Sequence, residues 1–177
     1  MFEKITKDTF DSVFSILENS FPPTELRTKE RQYALLHNPC YKLYGNRKED
    51  AAGFAAVLAT WEIEDILFLE HFAVREDCRN VGYGGKVLDM FFDLKNMPII
   101  LEAELPQSDL TKRRIGFYQR HGYCFNEYKY VQPPMREDGI FVPLAIMTKP
   151  REISETQFRH YRSLLYRIVY QFEGEVE

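Results

Sequence analysis

Bulky apolar residues fill both sides of an extended chain along residues 66–74, Ile66-Leu67-Phe68-Leu69-Glu70-His71-Phe72-Ala73-Val74, as in a strand buried on both faces. The following loop, 75–85, carries Gly82, Gly84 and Gly85 and opens a helix whose buried stripe is Val87, Leu88, Phe91 and Phe92. Upstream, the pattern predicts a short strand over 2–5. A helix capped by Thr6 or Asp8 then follows, with apolar face Phe10, Val13, Phe14 and Leu17, ended by Phe21-Pro22-Pro23. A second helix over 28–36 closes at Asn38-Pro39, because the residue before a proline is pushed out of the helical region. Strands are expected over 40–45 and 52–61, joined by the charged turn Arg47-Lys48-Glu49-Asp50. The small residues of the second, Ala51 to Ala59, indicate either close packing against a helix or space for a ligand.

Downstream, Pro98 introduces a strand over 99–104, and 105–109 lead into a helix through Arg120. Two further strands, 123–131 and 141–149, flank the loop 133–139, which is either a substrate-facing flap or a solvated connection. In the last segment Ser154 and Gln157 form a capping box, and Phe158, Tyr161, Leu164, Leu165, Ile168, Val169 and Phe172 recur at helical spacing.

The 177 residues suit one domain with its own core, and a net charge of -4 argues against nucleic acid as a partner. Three separated cysteines and four histidines show neither a disulfide framework nor metal-ligand spacing, so no metal is expected. The N-terminus has no apolar signal stretch, and the longest weakly polar run, 51–59, is too short to cross a bilayer. A cytoplasmic protein with reduced thiols and no membrane partner is expected.

A strand, a glycine-rich turn and a helix together hold a phosphate, because glycines let the backbone approach the anion and unpaired N–H groups at the helix start point at it. The third glycine of a dinucleotide fingerprint is missing, since Val87 stands there. A Walker A loop is excluded by Asn80 and Val87. What remains is Arg79-x-x-Gly82-x-Gly84, with Phe117-Tyr118-Gln119-Arg120-His121-Gly122-Tyr123 downstream. In these two segments the chain resembles the GCN5-related N-acetyltransferases (GNAT).

The resemblance covers residues 1–149 and implies an α/β fold: a mixed, mostly antiparallel sheet splayed between strands 4 and 5 and flanked by helices. Residues 150–177 add an extra C-terminal amphipathic helix, packed on the domain or forming a homodimer contact. The implied activity is acetyl transfer from acetyl-CoA to a primary amine of a small molecule or peptide, by direct attack in a ternary complex. Phe72, Ala73 and Val74 would pair with the coenzyme's pantetheine arm. Arg79, Asn80, Val81, Gly82, Tyr83 and Gly84 would hold its pyrophosphate. Tyr118 matches the family's general acid, which returns a proton to the thiolate. Glu70 is preferred as base or water-positioner, with adjacent His71 its rival, the two expected on opposite sheet faces.

Two positions depart from the family pattern: Thr111 stands for an asparagine that contacts the coenzyme arm, and Arg114 for a small residue. Lys112, Arg113 and Arg114 either meet the 3′-phosphate of CoA or form a solvated face. Glu102 and Glu104 share a face of the fifth strand and, with Glu70, would favour a cationic amine. The alternative is a CoA-binding sensor or interaction protein of the same fold without turnover.

Overall fold

The structure, a computed structural model, describes residues 1–49, 51–137 and 139–174. Asp50 and Asp138, both expected in loops, and the end of the expected C-terminal segment, residues 175–177, lie outside the described residues. The chain divides into two compact units, Met1–Met97 and Pro98–Glu177.

In the first unit the elements run β1 (Phe2–Lys4), α1 (Phe10–Glu18), α2 (Lys29–Ala34), β2 (Tyr41–Asn46), β3 (Ala56–Ile63), β4 (Ile66–Val74) and α3 (Tyr83–Lys95). Its four strands pair antiparallel in the order β1-β2-β3-β4. Helix α1 buries Phe10, Val13, Phe14, Ile16 and Leu17 and packs against β3 and β4. It begins after Thr9 rather than after Thr6 or Asp8, and Thr9 Oγ1 accepts from the Thr6 N–H at 3.1 Å. Helix α2 has the cap Thr28 and gives way to a 3-10 turn, Leu35–His37.

Strand β3 starts at Ala56, later than the expected 52. The preceding carbonyls explain the delay: Arg75 Nη1 donates to Ala52 O at 2.5 Å and Phe54 O at 3.1 Å, and Gly53 turns the chain with φ +72°. From Ala55 onward the backbone joins the ladder, its N–H donating to Asn46 O at 2.8 Å. Ala55, Ala56 and Ala59 are fully buried.

The second unit contains β5 (Ile99–Glu104), α4 (Asp109–Arg120), β6 (Cys124–Gln132), β7 (Val142–Lys149) and α5 (Glu155–Leu164). The strands pair antiparallel in the order β5-β7-β6. Helix α4 packs against β5 and β6 through buried Ile115. Ser154 and Gln157 form the expected capping box of α5, and Phe158 stacks on Tyr128 with ring centroids 4.6 Å apart. The helix widens into a π turn, Leu165–Val169, and stops there, so Phe172 is not part of its helical stripe. After Gln171 (φ +51°) Phe172 returns to pack edge-on against Tyr166 and Phe141. Among the described residues no helix is long and apolar enough to cross a membrane.

Candidate active site

The register of β3 against β4 slips at one place. His71 faces Ala59 and Leu69 faces Thr60, which leaves Glu70 as an extra residue without a partner. This is a β-bulge, and it breaks the two-residue alternation on which strand faces depend. Glu70 and His71, expected on opposite faces, instead lie side by side, with Glu70 Oε2 3.5 Å from His71 Nδ1. Both side chains are buried.

Each is held from the connection between α1 and α2. Arg27 Nη1 donates to Glu70 Oε1 at 2.5 Å in a buried ion pair. His71 Nε2 donates to the Glu25 carbonyl at 2.7 Å, which leaves Nδ1 as the nitrogen that faces Glu70. Phe21 packs edge-on against the imidazole at 4.5 Å. Burial pushes the Glu70 carboxyl up, but the Arg27 charge and then His71 draw it down further, to about 2. Among the described residues, Glu70 Oε2 and His71 Nδ1 have no hydrogen-bond partner. Nearby, Gln32 Nε2 donates to Tyr41 Oη at 2.5 Å, and Arg27 lies over the Trp61 ring. Burial and the neighbouring Glu70 charge push the Tyr41 phenol up.

Beyond the bulge, Phe72, Ala73 and Val74 continue the ladder opposite Leu58, Val57 and Ala56. A 3-10 turn, Glu76–Cys78, carries the chain to Arg79. Asn80 and Gly82 both take left-handed conformations, φ 64° and 73°, which bend the backbone into the start of α3. Among the described residues, nothing beyond the adjoining chain lies within 4 Å of where a Gly82 side chain would begin. The first-turn N–H groups of a helix have no intrahelical partner, so they are donors for an anion.

Arg79 is turned along the protein: Nε donates to Val74 O at 2.7 Å and Nη2 to Ser20 Oγ at 3.2 Å. The bond to Ser20 crosses an open cleft of about 670 Å³ between the end of α1 and the loop, lined also by Arg75 and Asp77. Tyr83 Oη reaches Asn46 Oδ1 at 2.5 Å.

In the second unit Tyr118 is half-buried on α4, with Phe117 and Tyr123 edge-on to its ring at 5.3 and 5.6 Å. Burial raises its phenol to about 12, with Arg114 opposing. Thr111 closes the capping box of α4, accepting from Ser108 N at 3.0 Å and donating to Ser108 O at 3.1 Å. A coenzyme contact there competes with the cap. Arg114, out of pattern for the family, forms an ion pair with Glu104. Glu102 accepts from Tyr170 Oη at 2.6 Å and from Tyr130 Oη. Two of the three carboxylates expected to attract a cation, Glu70 and Glu104, are therefore neutralised by arginines.

Sequence reasoning missed Arg27, Asn46 and the Tyr83 hydroxyl. Arg27 has no sequence signal, since its partner lies 43 residues away. Asn46 follows a glycine at a strand end and reads as an ordinary turn residue.

A search of curated proteins returns no significant match. A family model described as an acetyltransferase (GNAT) domain matches residues 39–124. Among solved structures, a GNAT-family protein from Bacteroides thetaiotaomicron, named as a candidate acetyltransferase, is 30% identical; the match covers 98% of this chain and 99% of that one, with a TM-score of 0.89. The ribosomal-protein-S18-alanine N-acetyltransferase from Escherichia coli shares the fold at 18% identity and a TM-score of 0.64, over 87% of this chain and 95% of that one. A variant of the spermidine N-acetyltransferase from Vibrio cholerae does so at 8% identity and 0.63, over 84% and 93%. With a relative of this identity matched over its whole length, the chain belongs to the GNAT family of N-acetyltransferases.

Proposed function

We propose that the protein transfers the acetyl group of acetyl-CoA to a primary amine of a small molecule or peptide, by direct attack in a ternary complex. The observation that carries the reading is the loop from Arg79 to Gly84, where left-handed Asn80 and Gly82 present the first turn of α3 to solvent as an anion cradle. Backbone groups of Asn80, Val81, Gly82, Tyr83 and Gly84 hold the pyrophosphate, and Arg79 braces the loop. Phe72, Ala73 and Val74 hold the pantetheine arm, with Thr111 as a further contact. When bound, the coenzyme supplies a thioester whose acyl group is transferred.

The remaining work falls to side chains. With a carboxyl near 2, Glu70 is an anion at neutral pH with low proton affinity, so it acts by orienting a water or the amine rather than by taking the proton itself. His71, 3.5 Å away, is the alternative proton acceptor at Nδ1. Tyr118 keeps its proton at Oη through neutral pH and gives it to the leaving thiolate. The alanine and spermidine named in the fold relatives are amine acceptors of peptide and small-molecule type, which supports an amine acceptor here.

Isothermal titration with acetyl-CoA tests the reading, on wild type and on Gly82→Glu, which fills the cradle with a side chain and a negative charge. Binding that is lost in the folded variant supports it, and absence of binding to wild type overturns it. Release of CoA thiol across an amine panel then tests turnover. Tyr118→Phe is expected to cut turnover about a hundredfold, the low end for a general acid, with acetyl-CoA affinity unchanged.

A further inference from the structure

The loop is built on a glycine-rich stretch, Gly82-Tyr83-Gly84-Gly85. Glycines grant the close approach an anion needs, yet they also leave many loop conformations that binding must select among. Arg79 holds the upstream end of the loop, through Val74 O and Ser20 Oγ. Val81, between the two left-handed residues, is 65% exposed.

Within the glycine run the side chain that reaches the sheet is Tyr83, the first residue of α3. Its hydroxyl donates to Asn46 Oδ1 at 2.5 Å. Asn46 is the last residue of β2, only 3% exposed, and is itself fixed: Nδ2 donates to the Met1 carbonyl at 3.3 Å, and its backbone carbonyl receives Ala55 N at 2.8 Å. The acceptor for Tyr83 is thus an amide oxygen locked between β1, β2 and the entry to β3. A bond from a locked strand end to the first residue of a helix fixes where that helix begins.

We propose that Asn46 and Tyr83 form a latch that presets the first turn of α3 to receive the pyrophosphate of the acyl donor; this rests on the reading of the loop as the pyrophosphate site. Both side chains are positioning groups: the Asn46 amide and the Tyr83 hydroxyl touch no ligand and act by placing the backbone N–H groups of the loop. The latch removes an ordering cost from binding, so its loss weakens affinity without altering the donors themselves.

The test is a double-mutant cycle read by titration with acetyl-CoA. Tyr83→Phe removes one hydroxyl and keeps the ring. It is expected to weaken binding about tenfold, the effect of one partly buried hydrogen bond. Asn46→Ala should do the same. The double variant should fall well short of the sum of the two losses, because the Tyr83 Oη–Asn46 Oδ1 bond is already absent from each single variant.

A spectroscopic signature separates positioning from general destabilisation. The phosphorus-31 resonances of the bound pyrophosphate should move in Tyr83→Phe while that of the 3′-phosphate stays in place. Wild-type binding with Tyr83→Phe within twofold of it, or additive losses in the double variant, overturns the latch and leaves the pyrophosphate reading standing. Failure of wild type to bind acetyl-CoA overturns both.

Discussion

Glu70 shows how one side chain can be placed by competing forces of unequal size. Burial alone would raise its carboxyl, yet Arg27 at 2.5 Å and His71 beside it hold it at about 2, below the ordinary 4.5. Because the folded value is the lower one, the group contributes its full stability above pH 4.5 and loses it as pH falls from 4.5 through 2. The contribution is on the order of 3 kcal/mol, so thermal melts of wild type should show Tm falling across that window. Glu70→Gln leaves Arg27 buried without its countercharge. It should cost about 3 kcal/mol at pH 7 and flatten the acid dependence between 4.5 and 2. A variant with wild-type Tm at pH 7 would show that the pair is not stabilising. A charged residue on an apolar central strand is visible in sequence as something paired or used. Its partner is not visible, because Arg27 meets it only through the path of the connection between α1 and α2.

Strand β4 is legible because β-branched, aromatic and aliphatic residues fill it from Ile66 to Val74. The bulge within it is not. An extra residue changes neither composition nor length, and it is defined by the register of β3, a property of two strands and not of one. The start of β3 is likewise set by a distant residue: Arg75 takes the carbonyls of Ala52 and Phe54 and defers the ladder to Ala56. The cap of α5 was legible because its donors and acceptors lie three residues apart, in the reciprocal bonds of Ser154 and Gln157. Ser154→Ala should therefore cost about 1 kcal/mol and lower Tm by roughly 2–4 °C, read by thermal melts. An unchanged Tm would mean that α5 is held by Phe158, Tyr161 and Leu164 alone.

At the scale of the whole molecule, two short segments carried the family, Arg79 to Gly84 and Phe117 to Tyr123, because left-handed backbone at Asn80, Gly82 and Gly122 restricts residue type there. The carboxylates expected to attract an amine acceptor carried no such restriction, and two of them, Glu70 and Glu104, have partners of their own in Arg27 and Arg114. Ligand linkage turns the loop reading into a property of the folded chain. A ligand at a hundred times its Kd stabilises the native state by about 2.7 kcal/mol, which for a chain of this size raises Tm by roughly 5–10 °C. Wild type with acetyl-CoA should show that increment. Gly82→Glu should show none, because the cradle is filled, while Glu70→Gln should start from a lower Tm and keep the increment whole, because its loss lies at the bulge and not at the loop. Equal increments in all three proteins would place the coenzyme somewhere other than the start of α3. Loss of the increment in Glu70→Gln would instead make the bulge part of the coenzyme's own binding surface.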